Sequence, residues 1–216
     1  MNATKPSSTT CYRCDAEPTT KDHVPPKCIF PDNMRNNLIT VPSCEAHNNS
    51  ESSVDEYIRN LATMGFEASH VGLDQFKAKA LRGIQRGNSK FQATKAVMVD
   101  PATGIQQDAF ALGVDYEKVM AALTKIAWGL HYHCTGRRCD IDPVVVSLLT
   151  RNEDEEVSKN THDFYNLSVE CLSTFPWVGE NSEVFKYKFA SFEDGHLALA
   201  HFYDAPAFIA HYRASA

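Results

Sequence analysis

Hydrophobic residues recur along this chain at two spacings, and each spacing predicts a different secondary structure. Apolar residues three and four positions apart predict helices that start at Ser52 or Ser53, run from Gly72 to about Arg86, and run from Asp115 to Gly136. Short apolar runs beside turn residues predict a strand at 38–41 and two hairpins, which pair 91–99 with 105–112 and 184–192 with 196–203. Together these elements predict an α+β fold.

The apolar faces of the helices identify candidate core residues. In the second helix they are Leu73, Phe76, Ala80, Leu81 and Ile84, and in the third they are Tyr116, Val119, Met120, Leu123, Ile126, Ala127 and Leu130. The run 144–149 fits either a strand or a short buried helix, and 153–160 is predicted to be a charged surface stretch. The aromatic residues after 184 alternate like one face of a strand, which favours core packing over stacking on nucleic-acid bases.

Two short pairs of cysteine and histidine near the N-terminus have the spacing of a zinc site. Cys11 and Cys14 form a C-x2-C pair, and Cys44 and His47 form a C-x2-H pair. Thiolates and imidazoles are the usual ligands of structural zinc, and four of them close a tetrahedral site. Two alternatives stay open: Cys28 replaces His47 as the fourth ligand, or these cysteines are buried thiols without a metal.

Three further polar residues, Asp22, His23 and Asn48, lie beside the predicted zinc ligands and are not needed to bind zinc. Hydrolysis of a phosphodiester requires a base that activates water and a divalent ion that neutralises the leaving oxygen. A His next to an Asp supplies the base and an ion ligand, and an Asn adds the hard oxygen that Mg²⁺ prefers. Taken alone, His23 would be assigned to a structural hydrogen bond, but its neighbours favour catalysis.

Three motifs follow one another within residues 11–60: Cys11-x2-Cys14, then Asp22-His-Val-Pro-Pro26, then Asn37-Leu-Ile-Thr-Val-Pro-Ser-Cys44-x2-His47-Asn48. This order resembles the HNH endonuclease family in its zinc-bearing ββα-metal form. The resemblance implies that His23 is the general base, and that Asp22 and Asn48 bind one catalytic Mg²⁺ or Mn²⁺ ion. It also implies that Asn37 or Asn36 steadies His23. The second pair in that family is usually C-x2-C, so His47 is either a zinc ligand, which we favour, or the last His of the HNH triplet.

The resemblance implies an endonuclease or nickase that hydrolyses DNA, a class often found in restriction and anti-phage defence. A homodimer would account for double-strand cutting, because one such site cuts one strand. The alternative is a non-catalytic zinc module that binds nucleic acid or protein. A protein partner that regulates activity through the C-terminal body is a further hypothesis, which the sequence does not decide.

The charge is distributed unevenly along the chain, and this bears on the expected partner. The net charge is -6, yet residues 59–95 carry seven Lys and Arg against two Asp and Glu, while residues 96–216 are net negative. A basic helix over 73–90 could therefore contact DNA phosphates, although a solvated helix face is the alternative. Its candidate contacts are Lys77, Lys79, Arg82, Arg86 and Lys90.

These features predict a disordered arm over 1–10, a zinc-stabilised ββα-metal (HNH) nuclease module over 11–66, and a body of mixed helix and antiparallel sheet over 67–216. The apolar runs are shorter than the roughly 20 residues that a membrane-spanning helix needs, so no membrane partner and a cytoplasmic location are expected. The seven cysteines are expected to be thiols and metal ligands in a reducing compartment. His131, Cys134 and Cys139 lack regular ligand spacing, which argues against a second metal site.

Overall fold

The chain folds into helices and mainly antiparallel hairpins, which confirms the predicted α+β class. The computed structural model describes residues 10–49, 52–64, 69–80, 92–99, 103–150 and 154–214. The helices in these ranges are α1 (Glu45–Asn49), α2 (Ser52–Thr63), α3 (His70–Gln75), α4 (Tyr116–Thr135) and α5 (Glu155–Cys171). The strands are β1 (Thr20–His23), β2 (Thr40–Ser43), β3 (Gln92–Val99), β4 (Gln106–Gly113), β5 (Val144–Ser147), β6 (Phe185–Phe192), β7 (Gly195–Phe202) and β8 (Ala205–Arg213). Apart from Thr10, the predicted arm lies outside the described residues.

The N-terminal part is a two-stranded antiparallel hairpin followed by helices. β1 and β2 pair so that Asp22 lies opposite Val41 and His23 opposite Thr40. The long connection between the strands is rich in proline and forms only two short 3₁₀ turns, at Lys27–Ile29 and Asp32–Met34, because proline cannot continue a helix. The strand predicted at 38–41 is present as β2, two residues later, and the helix predicted to start at Ser52 or Ser53 is present as α2.

Helix α4 is the longest of the described elements and has the ends that the sequence predicted. The carboxylate of Asp115 accepts a hydrogen bond from the backbone N–H of Lys118 at 3.2 Å. Gly136 ends the helix in the left-handed conformation with a φ of 71°, which glycine adopts without steric cost. The predicted apolar face is buried from Val119 onward except at half-buried Met120, whereas Tyr116 is 56% exposed because it lies in the first turn.

A four-stranded antiparallel sheet in the order β5-β8-β7-β6 forms the C-terminal half. The predicted hairpin of β6 and β7 is confirmed, and the run after Pro143 is a strand, β5. The predicted core role is confirmed for most aromatic residues of this half, but Phe192 at the end of β6 is 48% exposed. β3 and β4 form the other predicted hairpin as a separate two-stranded sheet.

Helix α5 and strand β8 were not predicted from the sequence, and neither was the short helix α1. Helix α5 replaces the expected charged surface stretch, and the carboxylate of Asp154 caps it by accepting hydrogen bonds from two backbone N–H groups at 2.9 and 3.1 Å. Strand β8 lies between β5 and β7. A small apolar cluster of Leu172, Ala190, Leu199 and Ile209 lies at the junction of α5 and the sheet.

The predicted basic helix over 73–90 is correct only in part. α3 starts at His70 and passes into a π-helical turn at Phe76–Ala80, while 81–91 lie outside the described residues. The prediction that Leu73 lies on the buried apolar face of this helix is wrong, because Leu73 is 42% exposed. Gly72 and Gln75 are buried instead, so the helix is rotated relative to the expected face.

One hydrophobic cluster runs through the predicted nuclease module and the predicted body. Tyr12, Val24 and Ile58 from the first share it with Leu123 and Phe208 from the second. Hydrogen bonds reinforce the contact, since the Tyr203 hydroxyl donates to the backbone oxygen of Ile29. The boundary predicted near residue 66 therefore stays a prediction, because the hydrophobic cluster continues across it among the described residues. Helices with both the length and the apolar character to cross a membrane do not occur among the described residues.

We predict that Gly129→Ala destabilises the protein, because α4 lies against the N-terminal hairpin at this residue. A Cβ atom at 129 would lie 2.4 Å from one methyl carbon of Val24, and a β-branched side chain has few other rotamers. We expect the free energy of unfolding to fall by about 1–3 kcal/mol, measured by urea denaturation. In a double-mutant cycle, Val24→Ala combined with Gly129→Ala should cost less than the sum of the two single changes. Additive costs would contradict the contact.

Candidate metal centre and catalytic residues

The two cysteine and histidine pairs meet in space and form a cluster with the dimensions of a tetrahedral metal site. The ligand atoms of Cys11, Cys14, Cys44 and His47 all lie within 4.8 Å of one another. The Sγ atoms of Cys14 and Cys44 are 3.8 Å apart, and His47 Nδ1 lies 3.5 Å from Cys11 Sγ and 3.4 Å from Cys44 Sγ. Zinc bonds of about 2.3 Å to sulfur and 2.0–2.1 Å to nitrogen would place tetrahedral ligands roughly 3.8 Å (sulfur and sulfur) and 3.5 Å (sulfur and nitrogen) apart. The cluster therefore fits zinc.

Backbone hydrogen bonds position both pairs of ligands. The N–H of Cys11 donates to the oxygen of Ala16 at 2.8 Å, which closes the first loop, and the N–H of Tyr12 donates to the oxygen of Pro42 at 2.9 Å. The second bond attaches the first loop to β2. Cys44 directly follows β2, and His47 is in the first turn of α1, so residues three apart face the same side. The hairpin thus joins ligands that are far apart in sequence.

Cys11 is buried in a setting that favours its thiolate form. Burial alone would raise the pKa of this thiol, but hydrogen bonds from the backbone N–H groups of Arg13 and Cys44, and from His47, lower the pKa to about 6. The thiolate is the form that binds metal. The electrostatics of this residue therefore agree with the geometry of the cluster.

Other cysteines make different contacts. Cys28, the alternative fourth ligand, donates to the backbone oxygen of Asp55 at 3.3 Å, and burial raises its pKa to about 11. His131 bonds to the backbone oxygen of Arg137 at 3.1 Å, and Cys134 donates to the hydroxyl of Tyr187 at 3.8 Å. Within the described ranges, the cluster of four is the group of His, Cys, Asp and Glu residues with metal-binding geometry. The choice of His47 over Cys28 therefore agrees with the structure.

Asp22 and His23 are neighbours on β1, so their side chains point to opposite sides of the hairpin. Asp22 is 5% exposed. Its Oδ2 accepts a hydrogen bond from the Tyr12 hydroxyl at 3.0 Å and lies 3.4 Å from the ammonium nitrogen of Lys125, while Oδ1 accepts the backbone N–H of His23 at 2.9 Å. This carboxylate is thus held by donors on both oxygens.

His23 is half-buried and turned away from those donors. Desolvation lowers the pKa of its imidazole, the positive charge of Lys27 lowers it further, and the negative charge of Asp22 opposes both. No side chain in the described ranges forms a hydrogen bond with this imidazole. As far as the described residues show, its ring nitrogens are therefore available to a ligand or to water.

The three candidate asparagines lie around the same hairpin. The side-chain N–H of Asn48 is 3.5 Å from the backbone oxygen of Lys21, so Asn48 lies next to the residue that precedes Asp22. Asn37 is exposed and has a φ of 53°, a left-handed conformation that asparagine tolerates better than most residues. The backbone oxygen of Asn36 accepts a hydrogen bond from Asn181 at 3.0 Å. The left-handed backbone conformation thus gives a structural reason for an asparagine at position 37. A role of Asn37 in steadying His23 stays a prediction.

The structure describes Lys77 and Lys79 among the residues predicted to contact DNA. Lys77 is exposed in the π-helical turn. Lys79 lies 3.5 Å from the carboxylate of Asp32, so part of its charge is neutralised within the protein. Arg82, Arg86 and Lys90 lie outside the described residues.

Sequence reasoning missed Lys125, which is 2% exposed in α4 and lies beside Asp22. The signal was present: a lysine stands on a helix face between two small residues, Ala122 three positions before it and Gly129 four positions after it. Small neighbours leave room for a long side chain to run inward. The spacing of apolar residues does not identify such a lysine, because a charged residue on a helix is predicted to face solvent.

The chain matches no protein-family model, no curated protein and no solved structure. The function therefore rests on the site itself.

We predict about one zinc ion per purified chain and almost none in Cys44→Ser, because Cys44 lies within ligand distance of both Cys14 and His47. Elemental analysis after gel filtration measures the content. Cys28→Ser is the matched control and should keep its zinc, since that thiol bonds to a backbone oxygen away from the cluster. Zinc retained by Cys44→Ser, or lost from Cys28→Ser, would contradict this set of ligands.

Proposed function

We propose that this protein is a metal-dependent endonuclease or nickase of the HNH type that hydrolyses DNA phosphodiester bonds. The observation that carries the proposal is the imidazole of His23, which forms no hydrogen bond with a described side chain. It lies on a hairpin that is joined to the zinc-sized cluster. Asp22 is the adjacent residue on the same strand, and Asn48 lies against that strand. A base and two hard oxygen ligands are therefore grouped around one short hairpin.

His23 is the general base in this mechanism. Its neutral imidazole takes a proton from the water that attacks phosphorus, and alternation along β1 places it on the same side as exposed Lys21. Zinc bound to the four-residue cluster would have a structural role. It would hold β2 and α1 against the loop of Cys11 and Cys14.

Asp22 and Asn48 have the oxygen donors that Mg²⁺ or Mn²⁺ prefers, and such an ion offsets the negative charge on the leaving oxygen in this class of reaction. Two carboxylates, Asp22 and Asp55, lie 3.4 and 3.2 Å from one ammonium group, that of Lys125. Carboxylate oxygens are the hard donors that these ions prefer.

DNA is proposed as the substrate because the basic residues cluster next to the module. Residues 59–95 carry seven Lys and Arg against two Asp and Glu, and binding to phosphates depends on the charge at the contact and not on the net charge of the chain. Exposed Lys77 is the candidate contact in the described part of this segment.

A non-catalytic zinc module is the second candidate function, and one observation favours it. Asp22 is 5% exposed and already accepts hydrogen bonds from Tyr12 and from the backbone. A carboxylate with these partners could be wholly structural, in which case the module would bind a partner without cutting it.

The test that separates the two functions is nicking of supercoiled plasmid DNA in Mg²⁺ or Mn²⁺. We expect wild-type protein to nick it and His23→Ala to do so about 10²–10⁴-fold more slowly, because the base that activates water is removed. His162→Ala is the matched control, since this histidine is exposed on α5, and it should nick at the wild-type rate.

Each contrary result has its own meaning. If neither wild type nor variant nicks while both are folded and contain zinc, the nuclease proposal fails. If His23→Ala nicks as fast as wild type, His23 is not the base, even if the protein is a nuclease.

A further inference from the structure

Lys125 carries an ammonium group from α4 into the centre of the N-terminal hairpin. Its side chain is 3% exposed, and Nζ lies 3.2 and 3.3 Å from the two carboxylate oxygens of Asp55 and 3.4 Å from Oδ2 of Asp22. It thus joins three elements: β1, α2 and α4. Neither the zinc cluster nor the proposed base requires this lysine.

The partners of Asp22 are divided unequally between its two oxygens. Oδ2 has the Tyr12 hydroxyl and the Lys125 ammonium group, whereas Oδ1 has the backbone N–H of His23 alone among the described contacts. A carboxylate oxygen has about two lone pairs. Oδ2 therefore accepts the Tyr12 hydrogen bond and also faces the ammonium group in an ion pair, whereas Oδ1 keeps one acceptor position among the described contacts.

This division also fixes the direction in which the carboxylate points. Rotation about the side chain would break the hydrogen bond from Tyr12 and the ion pair with Lys125 together, and both of these residues are buried. The carboxylate is consequently held in one orientation.

We propose that Lys125 is a positioning residue of the nuclease site. By holding Oδ2 together with Tyr12, it leaves Oδ1 as the single oxygen that Asp22 presents to a divalent ion. This inference rests on the proposed function, because it assumes that Asp22 is an ion ligand. The opposing view is that Lys125 only stabilises the contact between α4 and the hairpin.

The two views differ in their effect on ion binding. Hydrogen-bonding partners of metal-binding residues typically contribute 10–100-fold to metal affinity or activity. Loss of the ammonium group leaves two carboxylates, Asp22 and Asp55, without their shared cation, so Asp22 is held less firmly, by the Tyr12 hydroxyl and the backbone of His23. In contrast, removing a nearby positive charge would by itself strengthen the binding of a cation. Positioning and simple electrostatics therefore predict opposite changes.

Lys125→Met is the test, because methionine keeps the length of the side chain and removes its charge. Binding of Mn²⁺ is measured by electron paramagnetic resonance in a His23→Ala background, where no DNA is cut, and kcat and KM for nicking are measured with His23 intact. We expect the Kd for Mn²⁺ to rise about 10–100-fold and kcat to fall by a similar factor, with zinc content unchanged. Lys118→Met is the matched control: this lysine is also on α4 and also pairs with a carboxylate, that of Asp115, and neither measurement should change.

The contrary outcomes are distinct. If Lys125→Met lowers only the thermal midpoint, while Mn²⁺ affinity and kcat per folded molecule match wild type, or if the ion binds more tightly, the positioning role is overturned but the nuclease proposal stands. If the wild-type site takes up no Mn²⁺ and the protein does not nick DNA, both are overturned.

A second variant covers the case in which Lys125→Met does not fold. Tyr12→Phe removes the other donor to Oδ2 without changing any charge. It should weaken Mn²⁺ binding in the same direction, and unchanged Mn²⁺ affinity in this variant would overturn the proposal.

Discussion

The contact between the Asp22 carboxylate and the Lys125 ammonium group is the constraint on which the arrangement of the site depends. Removing two charges from water is costly, and their attraction offsets the cost only when the geometry is good and further hydrogen bonds complete it. Tyr12, Asp55 and the backbone of His23 supply those bonds. The long helix and the N-terminal hairpin are therefore held in one relative position.

The close approach that this ion pair requires is built into the sequence of α4. Gly129 removes the side chain that would otherwise meet Val24, and Ala122 leaves space on the same helix face. Around this contact, residues of both the N-terminal part and the four-stranded sheet form one hydrophobic cluster. A zinc-sized cluster holds the other end of the hairpin. The hairpin, which has few core residues of its own, is thus held at both ends by elements distant in sequence.

The elements that could not be predicted from the sequence differ in their hydrophobic pattern from those that could. β8 lies between two strands and is buried on both faces over much of its length, so it has no alternation of apolar and polar residues, and Pro206 argues against a strand. α5 carries many charged residues at its start, and its apolar residues contact only a small cluster. In contrast, α4 combines a long apolar face with clear caps at both ends.

The sequence by itself determined the four residues of the zinc-sized cluster and the adjacent polar residues, because ligand spacing within each pair is a local property of a short loop or helical turn. It also determined the long helix and the hairpins with strong periodicity. Only the tertiary structure decided which residues surround Asp22, since Lys125 reaches it from the other half of the chain and Asp55 lies 70 positions from Lys125. Partners of a buried charge are chosen by three-dimensional packing, and no local spacing encodes them.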